Sequence, residues 1–238
     1  IMKIAILGYG KMGKVIEEIA IQRGHSIALK VNQTNLDFDL ELLRVCDVAI
    51  EFSSPESAIE NIHKCFDANI PVVVGTTGWY AEFNAIQERC ISENKGMLYA
   101  TNFSVGVNIF YEINKKLAAL MDANSQYDVE VEETHHTQKL DAPSGTAITI
   151  AEGIIASLDR KDSWKNDIVV SENELGIDSK RIENVPGTHI VKYESEIDVI
   201  EIKHEAKNRN GFAFGAVLAA EYIHDKNGVF TMKDVLSL

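Results

Sequence analysis

Along the first hundred residues, short apolar runs alternate with stretches whose apolar positions recur every three or four residues. "MKIAIL" (2–7) reads as a buried strand, and the glycine-rich "GYGKMG" (8–13) follows it. Val15, Ile16, Ile19 and Ala20 then keep helical spacing up to Gly24, a helix stop. "IALKV" (27–31) and "DVAIEF" (47–52) predict a second and a third strand. Ser54-Pro55-Glu56 opens a helix, since serine can cap and proline suits a first turn where no N–H is needed. "PVVVG" (71–75), a helix over 80–93 and "MLYAT" (97–101) complete the series. Strands separated by helices predict a parallel sheet covered on both faces.

The pattern changes after residue 102. Val107, Phe110, Tyr111, Ile113 and Leu117 stripe a helix over 104–121, and "YDVEVEE" (127–133) alternates as a half-buried strand does. A helix is predicted over 144–158. Residues 159–181 are charged and weakly patterned, so an exposed, mobile connection is expected, with one strand at "IVV" (168–170). "HIVKY" (189–193) and "DVIEIKHEA" (198–206) alternate without intervening helices, which predicts an antiparallel or mixed sheet. A last apolar helix spans 211–223, and Asn227-Gly228 turns the chain before the terminal "MKDVLSL". The expected organisation is a dinucleotide-binding domain (1–102 plus 209–238) and a substrate-binding and oligomerisation domain (103–208). The fold class is α/β: a Rossmann-type parallel sheet with a second, α+β domain of mixed sheet.

Composition narrows the function. The 238 residues are 45% hydrophobic and carry a net charge of −13, which argues against nucleic acid or an acidic membrane surface as partner. No apolar run approaches the ~20 residues of a membrane span, and no leader-like segment precedes the first strand. Ile1, ahead of Met2, is set aside as extraneous. Cys46, Cys65 and Cys90 are odd in number and sit in apolar segments, as free thiols of a reducing cytoplasm do.

Gly8-x-Gly10-x-x-Gly13 stands after the first strand and at the first helix, where a dinucleotide loop belongs. The first glycine permits the turn, the second admits a pyrophosphate, the third lets helix and strand approach, and the helix N-terminus offers N–H donors. An acid is expected about twenty residues onward to hold a ribose; here Asn32 or Gln33 takes the place. Its absence, with Lys11 and Lys14 nearby, implies tolerance of a 2′-phosphate, although both lysines also suit plain solvated surface.

"HHTQKLDAPSGTA" (135–147) gathers proton-handling groups before a helix start. Adjacent histidines on extended backbone point to opposite sides, so His135 and His136 do not chelate one metal, and none is expected. Lys139, with the N–H groups of Ser144, Gly145 and Thr146, makes a cationic, donor-rich pocket for a carboxylate. Either histidine could move a proton. Glu132 and Glu133 read as surface strand residues, and Asp141 either braces the loop or orients Lys139.

"EETHHTQKLDAPSGTA" resembles the E-x-x-H-H-x-x-K-x-D-x-P-S-G-T-A motif of the 4-hydroxy-tetrahydrodipicolinate reductase (dihydrodipicolinate reductase) family. Gly75-Thr76-Thr77-Gly78, "NFSVGVN" (102–108) and "HEAKNRNGFAFGA" (204–216) resemble the same family in the same order. The resemblance implies NADH- or NADPH-dependent reduction of a cyclic dicarboxylic imine on the diaminopimelate route to lysine. It implies His135 as proton donor with Lys139 assisting, and His136, Gly145 and Thr146 as ligands of a substrate carboxylate. Gly8, Gly10, Lys11, Met12, Gly13, Gly75, Thr76, Thr77, Ala100, Thr101, Asn102 and Phe103 would line the cofactor. A cytoplasmic homotetramer, joined through the substrate-domain sheet, is the implied assembly. The residues alone leave Gly75 to Thr77 open to plain turn chemistry and Asn102 or Ser104 to helix capping. Arg209 either reaches the cofactor or is solvated. Many relatives have an additional glycine-loop residue and an acid after the second strand, and long members extend the 187–204 segment.

Two rival readings are weaker. An amino-acid or homoserine-type dehydrogenase explains the first domain but not "HHTQKLDAPSGT". A dinucleotide-binding sensor needs no histidines and lysine beside an anion site, and as a repressor it would carry a basic face.

Overall fold

The structure is a computed structural model that describes residues 1–32, 34, 38–168 and 170–238. In chain order the elements are β1 (Lys3–Leu7), α1 (Lys11–Gln22), β2 (Ser26–Val31), α2 (Leu40–Arg44), β3 (Val48–Glu51), α3 (Pro55–Ala68) and β4 (Val72–Val74). Then come α4 (Phe83–Ser92), β5 (Gly96–Tyr99), α5 (Val105–Asp122), β6 (Asp128–His135), α6 (Gly145–Ile155), β7 (Ser163–Lys165) and β8 (Glu174–Arg181). The chain closes with β9 (Gly187–Glu194), β10 (Val199–Ala206), α7 (Asn210–Ile223), β11 (Gly228–Phe230) and α8 (Met232–Leu236). Two compact units form, residues 1–105 with 209–238, and residues 106–208.

In the first unit six strands lie in the order β11-β5-β4-β3-β1-β2. Every neighbouring pair is parallel. The apolar runs explain this: the β3 and β4 residues are buried throughout, as strands covered on both faces must be. One face packs Leu7, Ile62, Phe66 and Val72 together; the other packs Ile4, Ile6, Ile16 and Ile50 with α7. Helix α7 approaches closely because its buried face is small: a Cβ on Gly215 would stand 1.7 Å from the Phe103 carbonyl oxygen. The strand order reverses between β1 and β3, which opens a crevice at their carboxyl ends.

Periodicity alone misses the end of this sheet. Gly228 does turn the chain, at φ +124°, but Gly228–Phe230 then joins β5 as a sixth strand, and a short helix follows. Three residues are too few to show a period.

The second unit is a five-stranded mixed sheet, β10-β9-β6-β8-β7. Strands β6, β9 and β10 are antiparallel neighbours, whereas β6–β8 and β7–β8 pair parallel. The β9–β10 ladder runs in unbroken register from Gly187↔Ala206 to Glu194↔Val199. Val131, Ile150, Ile154, Leu175, Ile177 and Tyr193 form the core under α5 and α6.

Residues 159–181 correct the expectation of a loose connection. The eight-residue β8 lies inside the sheet, and the short β7 lies beyond it. Only Leu175, Gly176 and Ile177 of β8 are well buried; the charged remainder is satisfied by cross-strand pairing, with Lys180 Nζ 2.6 Å from Glu132. A charged strand edge paired this way looks like loop in one dimension. Of the strand expected at 168–170, Ile168 is exposed in a bend and Val170 lies in coil, while Val169 falls outside the described residues.

Candidate active site

The glycine loop opens the first of two clusters. Gly8 has φ +105°, and a Cβ there would stand 2.1 Å from the Phe52 carbonyl oxygen, so only glycine fits. Gly13 is closed off likewise by the Gly8 carbonyl at 2.6 Å, whereas a Cβ on Gly10 would meet nothing within 4 Å. The second glycine therefore faces open space at the start of α1, as close approach of a phosphate requires. A cavity of about 800 Å³ lies there, lined by Gly8, Tyr9, Gly10, Val31, Asn32 and Phe52 among others.

None of the described residues lining this cavity is acidic. Asn32 sits at the expected ribose position, its Oδ1 accepting from Thr34 N at 2.8 Å and Thr34 Oγ1 at 2.7 Å. Its alternative, Gln33, lies outside the described residues. Sequence reasoning missed Tyr9, whose hydroxyl donates to Glu17, while Lys30 Nζ pairs with the same carboxylate at 2.6 Å. Burial holds the Glu51 carboxyl above its ordinary range beneath the cavity floor, against the opposing hydrogen bonds of Ser53, Thr76 and Asn61.

A second cavity of about 180 Å³ collects Met12, Phe52, Gly75, Thr101, Asn102, Phe103 and Phe212. Five predicted cofactor residues thus meet around one space. Gly75 owes its identity to packing, because a Cβ would stand 2.1 Å from the Phe52 ring. Thr76 is buried and its Oγ1 accepts from Ser53 N at 2.8 Å. Ala100 is half-buried, and exposed Lys11 and Thr77 line neither cavity. Asn102 Oδ1 accepts from Ser104 N at 2.8 Å, a local turn that leads the chain into α5.

The second cluster lies in the other unit, and Glu133 is its centre. This carboxylate is fully buried, which corrects the reading of it as a surface residue. Its Oε1 accepts from Ser144 N at 3.0 Å and lies 3.3 Å from Arg181 Nη2. Its Oε2 lies 3.2 Å from His135 Nδ1 and 3.8 Å from His189 Nε2. Burial would raise the Glu133 carboxyl, but contacts from His135 and Ser144 prevail and hold it well below the usual carboxylate range. Burial, reinforced by His135, pushes the His189 imidazole down to about 3, so it is neutral near pH 7.

The two histidine rings stand edge to face at 5.0 Å. His136, one residue on, is half-buried and outside this cluster. Ser144 caps α6, its Oγ accepting from Ala147 N at 3.1 Å, which places Gly145 and Thr146 in the first turn. Lys139 Nζ is 2.8 Å from Asp141, whose side chain is largely exposed. Arg181 ties the loop down by donating to the Asp141 carbonyl at 2.6 Å and the Lys139 carbonyl at 3.4 Å. Arg181 and His189 escaped sequence reasoning because both come from strands distant in sequence.

Glu133, His135 and His189 bring one possible metal-ligand atom each within 4.8 Å of one another. Arg181 and Ser144 already engage the carboxylate, and a metal ion would add positive charge beside a guanidinium. A proton fits this environment better.

Residues 2–103 match the family model "Dihydrodipicolinate reductase, N-terminus", and residues 106–236 match "Dihydrodipicolinate reductase, C-terminus". The chain belongs to the dihydrodipicolinate reductase family. It is 53% identical to the 4-hydroxy-tetrahydrodipicolinate reductase of Christiangramia forsetii, covering 99% of this chain and 98% of that protein. A reductase of the same name from Rickettsia rickettsii is 35% identical, covering 96% of each chain. The fold matches a dipicolinate-bound dihydrodipicolinate reductase from Paenisporosarcina sp. TG-14, with a TM-score of 0.76, 23% identity and 97% of each chain covered. A probable dehydrogenase from Thermotoga maritima shares the fold more distantly, with a TM-score of 0.56, 11% identity, and 98% of this chain and 92% of that one covered. Both rival readings of the sequence give way to the reductase.

Proposed function

We propose that this reductase acts on 4-hydroxy-tetrahydrodipicolinate with either NADH or NADPH, that His135 donates the proton and that Lys139 assists. The observation that carries the assignment of roles is the buried contact of Glu133 with His135, beside a cation and a capped helix N-terminus. The glycine loop fits a dinucleotide, since Gly10 faces open space above an N-terminal helix turn. Gly8, Gly10, Lys11, Met12 and Gly13 would hold its pyrophosphate end. Gly75, Thr76, Thr77, Ala100, Thr101, Asn102 and Phe103 would hold the rest. The bound cofactor supplies the hydride. Acceptance of both cofactors is supported by the described residues of the cavity lining, none of which is acidic and would repel a 2′-phosphate.

At the other cluster, Lys139 would attract the dicarboxylate and stabilise charge as it develops. His136, Gly145 and Thr146 would hold a carboxylate, two of them from a helix N-terminus that favours anions. His135 would protonate the substrate atom made basic when hydride arrives.

The assembly expected is a cytoplasmic homotetramer, supported by exposed Val199 and Ile200 on the edge strand β10. No helix among the described residues is long and apolar enough to cross a membrane.

The test is a coupled assay in which a synthase generates the substrate and NADH and NADPH oxidation are followed separately. Wild type should oxidise both, and His135→Ala should lower kcat by ~100-fold or more with cofactor binding intact. Tight cofactor binding without oxidation of this substrate would overturn the assignment.

A further inference from the structure

We infer that Glu133 is a positioning residue for the proton donor: it fixes the His135 ring with Nδ1 turned inward and Nε2 presented for transfer. The inference rests on the proposed role of His135 and adds a residue that its motif position does not reveal.

Glu133 Oε2 and His135 Nδ1 are both buried and lie 3.2 Å apart, and neither makes an aligned hydrogen bond with any described residue. Buried polar atoms left unmade are costly, so each has reason to turn to the other. The second carboxylate oxygen is anchored independently, by Ser144 N at 3.0 Å and Arg181 Nη2 at 3.3 Å. A carboxylate fixed at one oxygen by a helix cap and a guanidinium cannot follow the ring if it swings. The ring must come to the carboxylate.

The opposite edge of the ring lies against a glycine. A Cβ on Gly187 would stand 3.1 Å from His135 Nε2 and 3.3 Å from Cδ2. Any side chain at the start of β9 would therefore crowd the nitrogen that must meet substrate.

The other charged and titratable groups of this neighbourhood are Arg181, Lys139, Asp141, His189 and His204. Arg181 is held by Glu133 and Lys139 by Asp141. His189 comes within 3.8 Å of the same Oε2 but is neutral near pH 7, so it does not compete for the negative charge. Asp141 is engaged by Lys139. Glu133 is thus the carboxylate that faces the His135 ring. On transfer, the doubly protonated ring gives its Nε2–H to the substrate atom made basic by hydride and is left neutral with Nδ1–H on Glu133, and water restores the lost proton.

The experiment compares wild type, Glu133→Gln, Glu133→Asp and His135→Gln in kcat, KM and the pH dependence of kcat/KM. A second measurement records the ring nitrogens of ¹⁵N-histidine-labelled wild type by NMR across the same pH range. In Glu133→Gln an amide replaces the charge without change of size. Its kcat should fall about 10- to 100-fold with KM changed less than about threefold. The alkaline limb of its kcat/KM profile should move to lower pH by about one unit, and Glu133→Asp should restore part of both. In wild type, His135 Nδ1 should carry the proton at neutral pH whether or not the variant folds. An unmoved alkaline limb in a folded Glu133→Gln, or an unprotonated Nδ1 in wild type, would overturn the inference. If His135→Gln itself kept full activity, the role of His135 would fail; an inactive His135→Gln beside an unmoved Glu133→Gln profile would sink only the role of Glu133.

Discussion

The two clusters are built by opposite means. The candidate cofactor cavity is made of backbone: glycines at Gly8, Gly10 and Gly13, a helix start, and strand ends that converge because the sheet is parallel. The buried Glu133 cluster is made of charge: one buried carboxylate, two histidines and an arginine drawn from β6, β8 and β9. A backbone site is enforced by sterics within a few residues of its motif. A charge site depends on partners that only folding brings together, since an uncompensated buried carboxylate would be strongly destabilising.

The contrast breaks most readily at Gly8. Gly8→Val should weaken NADH binding by at least about tenfold, because strain at a positive φ costs about 1–3 kcal/mol before the clash with Phe52 is counted. Fluorescence titration reads the affinity, and a variant that bound NADH normally would show the loop is less rigid than its sterics require. The buried Glu133 cluster, by contrast, should respond to pH.

His189 offers the next test. Its folded-state imidazole lies at about 3 against about 6.5 in an unfolded chain, so the unfolded state binds the extra proton in between. The stability it contributes is complete above about pH 6.5 and is lost progressively as pH falls towards 3. Glu133, also depressed, adds a second loss that begins below about pH 4.3, its unfolded value. His189→Gln should flatten the fall in denaturant midpoint between pH 6.5 and 5 while leaving the steeper loss below about pH 4. An unchanged slope in that upper window would mean the histidine is solvated in solution.

The smallest effect belongs to Asp141. Its carboxylate is 61% exposed, so the contact with Lys139 is screened despite its 2.8 Å length. Asp141→Asn should shift stability by at most about 1 kcal/mol and substrate KM by a few-fold. A kcat loss matching that of Lys139→Ala would instead make Asp141 a partner in orienting the lysine.

Much of the first unit was legible because its rules are local. Alternating period, the Ser54-Pro55 helix start and the glycine spacing each state a backbone requirement in adjacent residues. The three cysteines belong to the same layer: all are buried free thiols, and burial raises Cys46 and Cys90 to about 11. In the second unit, the motif at 135–147 named the loop of the candidate site but not its charge partners. Glu133 occupies an odd position of an alternating strand, with Val129 and Val131, and so falls on the buried face. That parity was readable, yet a carboxylate beside Glu132 reads as surface until a partner is known.

By itself, then, the sequence determined the parallel sheet, the dinucleotide loop and the stretch that carries His135 and Lys139, because covalent geometry and period are written in neighbouring residues. Tertiary structure alone decided that β8 is a strand, that Arg181 and His189 meet Glu133, and that one histidine of the pair faces inward. The physical reason is range. Sterics act over one or two residues of chain, whereas the ion pair that lets Glu133 be buried joins side chains 48 residues apart in sequence.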